Sequence, residues 1–89
     1  MSRQIVLVIA PSHSRFSHYV IERTRHLKFD RATSRGASSL RFDDLEFRFV
    51  PDDQPDRMRG YHGVEVVFVE PPREKVEEFR WLAECARTR

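Results

Sequence analysis

Two runs of consecutive apolar residues predict two strands that are covered on both faces. The first run spans residues 5–9 and the second spans residues 64–69, interrupted only by Glu65. Continuous rather than alternating hydrophobicity is typical of a strand in a parallel sheet with helices on both sides. Each run is followed by proline and then by apolar residues at helical spacing, so the sequence predicts two strand–helix units.

Both predicted helices are amphipathic. The first is predicted to begin after Pro11, with Ser12 or Ser14 as its N-cap. Its apolar stripe comprises Phe16, Tyr19, Val20, Arg23 and Leu27. The last helix is predicted to begin at Pro71-Pro72, since proline suits a first turn. The face that we expect this helix to bury comprises Val76, Phe79, Leu82, Ala83 and Ala86.

Between the two units, residues 40–50 predict a β-hairpin that turns at Asp43-Asp44. Its second strand alternates apolar residues with Glu46 and Arg48, so we expect one buried face and one wet face. Residues 30–39 predict a loop, and residues 54–58 predict a short helix. The whole chain, residues 1–89, is therefore predicted to be a single α/β domain, a mixed sheet of two buried strands plus a hairpin, with two main helices.

Length and composition narrow the class of protein. A chain of 89 residues holds one domain, and a hydrophobic fraction of 39% excludes wholesale disorder. Cys85 is the only cysteine, so no internal disulfide can form. The N-terminal apolar run is too short for a signal peptide or a membrane span, and we expect a cytoplasmic protein with no membrane contact.

The segment LEFRFVPDDQPDRMRGYHG followed by VEVVFVE (residues 45–70) resembles the stretch that leads to the Walker B strand of large terminase subunits and related helicase-like motor ATPases of phages. The segment IVLVIAPSHSRFSHYVIERTR (residues 5–25) is similar to the strand–helix unit that precedes it in those motors. The most distinctive part is the phrase RGYHG at residues 59–63. This resemblance implies a Rossmann-like or P-loop-like fold and the cytoplasm of a bacterial host.

The departures from that family concern the residues that hydrolyse nucleotides. No glycine-rich turn precedes a Lys-Ser or Lys-Thr pair, and the only lysines are Lys28 and Lys75. By the resemblance, Glu70 stands in place of the Mg²⁺-binding aspartate, and Pro71 in place of the glutamate that activates water. Without a phosphate cradle and the second acid, phosphoryl transfer lacks positioning and charge stabilisation. We therefore expect no enzyme activity, no cofactor and no metal.

Other chemistry is less well supported by the sequence. The histidines lack the i, i+4 spacing of a zinc pair, and no G-x-S-x-G turn surrounds the Ser12-His13-Ser14 segment. Three acidic residues are clustered in the predicted turn: Asp52, Asp53 and Asp56. Such a cluster can bind a cation, but its carboxylates are usually solvated.

Two functional hypotheses follow. The first is a non-enzymatic interaction protein that binds a protein of the host or the phage, with host-directed inhibition as the role that the resemblance implies. Trp81 falls on the glutamate-rich side of the last helix. An indole exposed to water there indicates that something covers it: a partner protein, a second copy of the chain, or another part of the chain itself.

The second hypothesis is nucleic-acid binding. Residues 1–41 hold eight Arg or Lys and two acidic residues, a net charge of +6, whereas residues 42–89 have a net charge of −4. The candidate basic contacts are Arg15, Arg23, Arg25, Lys28, Arg31 and Arg35. In the segment most like the motors, Arg57, Arg59, Tyr61 and His62 are candidates for contact with a phosphate or a partner. The alternative for Arg59 is an ion pair with Asp53 or Asp56 that fixes the turn.

Overall fold

A computed structural model of the chain describes residues 4–25, 39–42 and 45–88. The elements in these ranges are, in order, β1 (Gln4–Ala10), α1 (His13–Arg23), β2 (Ser39–Phe42), β3 (Leu45–Pro51), a 3₁₀ helix (Pro55–Met58), β4 (Glu65–Phe68) and α2 (Val76–Arg87). The predicted α/β class, with a mixed sheet and two main helices, is confirmed. The predicted turn at Asp43-Asp44 and all but the last residue of the predicted loop lie outside the described residues.

The sheet is built around β1. Its strands lie in the order β2-β3-β1-β4, and β1 is parallel to both of its neighbours. β2 pairs antiparallel with β3, which confirms the predicted hairpin. Every residue of β1 from Val6 to Ala10 is completely buried, because neighbouring strands flank it on both sides and helices cover both faces.

The two faces of the sheet hold separate cores. Alternate residues of β1 point to opposite faces, so Val6 and Val8 lie on one side and Leu7 and Ile9 on the other. The first core is closed by α1 and includes Phe16, Val20, Leu40 and Phe47. The second core is closed by α2 and includes Val50, Met58, Val66, Phe79, Leu82, Ala83 and Ala86. The molecule is thus a helix–sheet–helix sandwich.

The prediction of a solvent-exposed face on β3 holds for Arg48, whose side chain is 40% exposed, but is wrong for Glu46. The side chains of that face include Glu46, which is only 6% exposed, and Val50, which is 2% exposed and belongs to the α2 core. β3 lies between β2 and β1, so it is an interior strand rather than the outer arm of a hairpin. The carboxylate of Glu46 can be buried because Arg41 and Arg48 both pair with it.

β4 is also less buried than its apolar sequence predicts, because it lies at the edge of the sheet. Only Val66 is buried among its residues, and it is 6% exposed. The outer edge is shielded by the end of α2, where Arg87 Nη2 donates to the carbonyl oxygen of Val66 at 3.1 Å. The preceding turn is tied to the same helix end, since Val64 N donates to Ala86 O at 3.0 Å. These contacts occupy positions that a further strand would otherwise use.

The start of α1 is as predicted, whereas the start of α2 is not. Ser12 is the N-cap of α1, and its Oγ accepts a hydrogen bond from Arg15 N at 3.2 Å. α2 begins at Val76, four residues after the proline pair, and is preceded by Lys75 in the left-handed conformation with φ of 56°. Leu27 lies outside the described residues.

The buried face of α2 agrees with the prediction except at its first residue. Phe79, Leu82, Ala83 and Ala86 are buried, but Val76 is 39% exposed. The late start explains the difference, because Val76 occupies the first turn and lines a shallow groove with Phe68, Pro71 and Pro72 instead of entering the core.

The sandwich predicts stability effects of very different size for two aromatic residues on α2. Phe79→Ala empties a completely buried site and should lower the free energy of unfolding by about 3–5 kcal/mol. Trp81→Ala removes a side chain that is 58% exposed and should change the free energy of unfolding by less than about 1 kcal/mol. Urea unfolding followed by circular dichroism measures both; equal losses would contradict the assigned helix orientation.

Candidate binding surfaces

The carboxyl ends of β1, β3 and β4 meet at one edge of the sheet, because these three strands are parallel. In open α/β sheets, ligands bind outside this edge at the point where the chain reverses its direction of winding. Here the chain passes from β1 to β3 on one side and then to β4 on the other, which places that point between β1 and β4.

Two ion pairs join charged side chains at this edge. Arg15 lies 3.4 Å from Glu70, and Arg73 Nε donates to Asp52 Oδ2 at 3.0 Å. Asp52 is 7% exposed, so Arg73 balances a buried carboxylate. In the described ranges, no three histidine, cysteine or acidic residues lie close enough together to hold a metal ion.

The Ser12-His13-Ser14 segment at the same edge is occupied by helix capping and packing. Ser12 Oγ accepts the capping hydrogen bond of α1. The ring of His13 packs edge-on against Phe16 and Phe49, with centroids 5.6 and 5.7 Å away, and lies within 3.4 Å of Ser17 Oγ. His13 Nδ1 thus lies within hydrogen-bonding distance of Ser17, one turn along the helix.

The basic residues of α1 are paired with carboxylates. Arg23 forms a two-pronged ion pair with Glu65 of β4, and its Nη1 also donates to Tyr19 Oη at 2.9 Å. Its guanidinium lies 5.4 Å from the ring centroid of Phe47. The hydrogen bond that Arg23 donates to Glu65, against a smaller opposing effect of burial, raises the pKa of Arg23. Arg23 therefore links α1 to the edge strand rather than facing solvent alone.

The remaining residues of the predicted basic surface either pair with a carboxylate or lie outside the described residues. Arg15 pairs with Glu70, and Arg25 pairs with Glu22 at 3.3 Å. Lys28, Arg31 and Arg35 lie outside the described residues. Each described arginine of this predicted surface thus lies beside a carboxylate, which reduces the positive charge that α1 and the residues just after it present to a nucleic acid.

The 3₁₀ helix and the turn after it hold the other candidates. Arg59 Nε donates to Asp56 Oδ1 at 2.9 Å, so the alternative in which this arginine fixes the turn matches the structure, with Asp56 as the partner. Arg57 Nε donates to Gln54 Oε1 at 2.7 Å. His62 is exposed. The phenol of Tyr61 accepts a hydrogen bond from Arg48 Nη1, and the Arg48 guanidinium lies 5.6 Å from the Tyr61 ring centroid.

Arg48 is a site residue that the sequence did not single out. It was predicted to lie on a wet face of a hairpin, yet it lies between Glu46 and Tyr61. Hydrogen bonding to Glu46 raises the pKa of Arg48, with burial opposing it and Tyr61 adding to it. Its neighbour across the strand pair is Ser39, but no local sequence pattern links these residues to Arg57 and Tyr61.

Trp81 is exposed on the outer side of α2, as its position on the helical wheel predicted. Residues three and four positions away are its neighbours on the helix surface. Three of these four neighbours are acidic; the set is Glu77, Glu78, Glu84 and Cys85. The indole therefore projects from an acidic helix surface.

Comparison with protein-family models, with curated proteins and with solved structures finds no match to this chain. The resemblance to terminase-like motors, and the phage context it implies, therefore stay predictions. Neither of the two described helices is long and apolar enough to cross a membrane.

The Arg23–Glu65 pair predicts a specific dependence of stability on pH. Arg23 holds the pKa of Glu65 below its ordinary value of 4.5. A carboxylate with a depressed folded-state pKa stabilises the fold fully above its unfolded pKa, and that stabilisation is lost as pH falls through the folded-state pKa. Glu65→Gln should therefore be less stable than the wild type at pH 7 and should lose less stability on acidification below pH 4.5.

Urea unfolding at a series of pH values measures this difference. Glu84→Gln is the matched control, because it removes a carboxylate from the exposed side of α2. A Glu65→Gln profile that coincides with the wild type would show that the ion pair contributes nothing to folding.

Proposed function

We propose that this chain is a protein-binding domain without catalytic activity, and that the surface of α2 around Trp81 contacts a cationic segment of a partner protein. The observation that carries this proposal is the position of Trp81, which is 58% exposed on a regular helix. Tryptophan is enriched at the centres of protein interfaces, where its large apolar area and its N–H are both used.

The chemistry of the partner follows from the residues around the indole. Glu77, Glu78 and Glu84 flank Trp81, and no Arg or Lys occupies a position three or four residues from it. A partner that places arginine or lysine over the indole gains cation–π attraction and meets the carboxylates at the rim. An acidic or phosphate-rich partner would be repelled.

The existing ion pairs on this surface leave the carboxylates accessible. Arg80 Nη1 lies 3.7 Å from Glu77 Oε1, and Arg59 Nη2 lies 3.7 Å from Glu78 Oε1. Both separations are longer than a hydrogen bond, and exposed pairs of this kind contribute at most about 1 kcal/mol. A partner's guanidinium can therefore replace either arginine at small cost.

The nucleic-acid alternative has less support from the described residues. Its described contacts in and just after α1, namely Arg15, Arg23 and Arg25, are each paired with a carboxylate, and the α2 surface is acidic. Self-association of the basic and acidic halves is a further alternative, which the experiment below distinguishes. Host-directed inhibition stays a prediction from the resemblance alone.

The intrinsic fluorescence of the protein tests the proposal directly, because Trp81 is the only tryptophan. Titration with a synthetic amphipathic peptide of alternating arginine and leucine should shift the emission to shorter wavelength and saturate. A peptide with glutamate in place of arginine should produce no shift. The double variant Glu77→Gln/Glu84→Gln should weaken binding of the arginine peptide by about tenfold, or about 1.4 kcal/mol.

Three outcomes would overturn the proposal. Equal responses to the arginine and glutamate peptides would remove the charge argument. A response to the arginine peptide that is unchanged in the double variant would place the contact elsewhere. A shift that appears on concentrating the protein alone, with a dimer in sedimentation, would assign the surface to self-association.

A further inference from the structure

We propose that the cavity beside the 3₁₀ helix binds a small molecule that carries a phosphate group. This cavity has a volume of about 370 Å³ and lies on the α2 side of the sheet, where Leu7 and Val50 belong to the apolar core beneath it. Its polar lining comprises Ser39, Arg48, Arg57 and Tyr61. This site is separate from the Trp81 surface and does not depend on the proposed function.

The cavity has an excess of positive charge. Arg48 and Arg57 line it, whereas no acidic residue is among the lining residues that the structure describes. The carboxylate of Glu46, which contacts Arg48, is buried and already shared between Arg41 and Arg48. One buried carboxylate balances only one of the three arginines Arg41, Arg48 and Arg57. The positive charge that is left makes the site suited to an anion.

Hydrogen-bond donors in the cavity are already oriented. Arg57 is tethered through Nε to Gln54, so its two terminal nitrogens form a fork that can meet two oxygens of one anion. Arg48 is fixed through Nε and Nη1 by Glu46 and Tyr61. Because the Tyr61 oxygen accepts from Arg48, its own proton can be donated to a ligand.

A fourth donor comes from the neighbouring strand. Ser39 is paired directly with Arg48 in the β2–β3 register, and opposite residues in an antiparallel pair project from the same face. The hydroxyl of Ser39 therefore lies on the face that bears the arginines. Two guanidinium groups and two hydroxyl groups suit the several oxygens of a phosphate better than the two oxygens of a carboxylate.

The size of the cavity limits the ligand to a small molecule. Pockets for small ligands and cofactors span about 300–1,000 Å³, and 370 Å³ lies near the lower limit. Leu7 and Val50 beneath the cavity have almost no exposed surface, so the contacts that the cavity offers come mainly from its polar side chains. A mononucleotide or a sugar phosphate has these properties.

Nuclear magnetic resonance of ¹⁵N-labelled protein tests the site with three probes: inorganic phosphate, adenosine 5′-monophosphate and adenosine. The two phosphate-bearing probes should cause saturable shifts of the Arg57 Nε–Hε and Tyr61 amide resonances, and adenosine should not. Arg57→Gln should weaken binding of the monophosphate at least about tenfold, since it removes a charged hydrogen-bond donor.

Arg59→Gln is the matched control, because Arg59 is two residues away on the same segment but pairs with Asp56 outside the cavity. Its affinity for the monophosphate should stay within about twofold of the wild type. Tyr61→Phe, which retains the ring, should weaken binding as well. Three results would overturn the proposal. Equal losses of affinity in the two arginine variants would indicate non-specific attraction, and binding of adenosine as strong as that of the monophosphate would exclude phosphate recognition. The absence of saturable shifts would show that the cavity binds neither phosphate-bearing probe.

Discussion

The complete burial of residues 6–10 of β1 on both faces of the sheet is the constraint on which the rest of this structure depends. Five consecutive residues, Val6 to Ala10, have no exposed surface. A strand of this kind needs a neighbour at each edge and a helix over each face, since each buried branched side chain contributes about 1.5–3 kcal/mol only while it stays out of water. The parallel pairing with β3 and β4 and the positions of both helices satisfy that requirement.

The polar residues are arranged around this core in a consistent way. Where a charge is drawn inward it has a partner on a different element, as with Arg23 of α1 and Glu65 of β4, or Asp52 and Arg73. Such pairs position elements and do little chemistry, because each removes one cation and one anion from possible contacts. Two features are not explained by such structural pairs: the indole of Trp81 on its acidic helix and the arginine-lined cavity beside the 3₁₀ helix.

The features that could be predicted from the sequence are those set by local periodicity. The apolar run of β1, the hairpin pairing, the Ser12 cap and the outward position of Trp81 all follow from residues close together in the chain. The errors about β3 and β4 arise from strand order, which periodicity does not encode: β4 has the composition of a central strand but lies at an edge, and β3 lies inside the sheet. For the same reason the sequence pointed to Arg57 and Tyr61 but not to Arg48, which reaches them only through tertiary packing.

Native-state hydrogen exchange tests the central position of β1 most directly. If β1 is enclosed by two strands and two helices, its amides exchange only on global unfolding and are the slowest in the chain. The free energy of opening derived from their exchange rates then equals the free energy of unfolding measured in urea. The amides of β2, which pairs with only one described strand, exchange faster. Amides of β1 that exchange as fast as those of β2 would contradict this account of the fold.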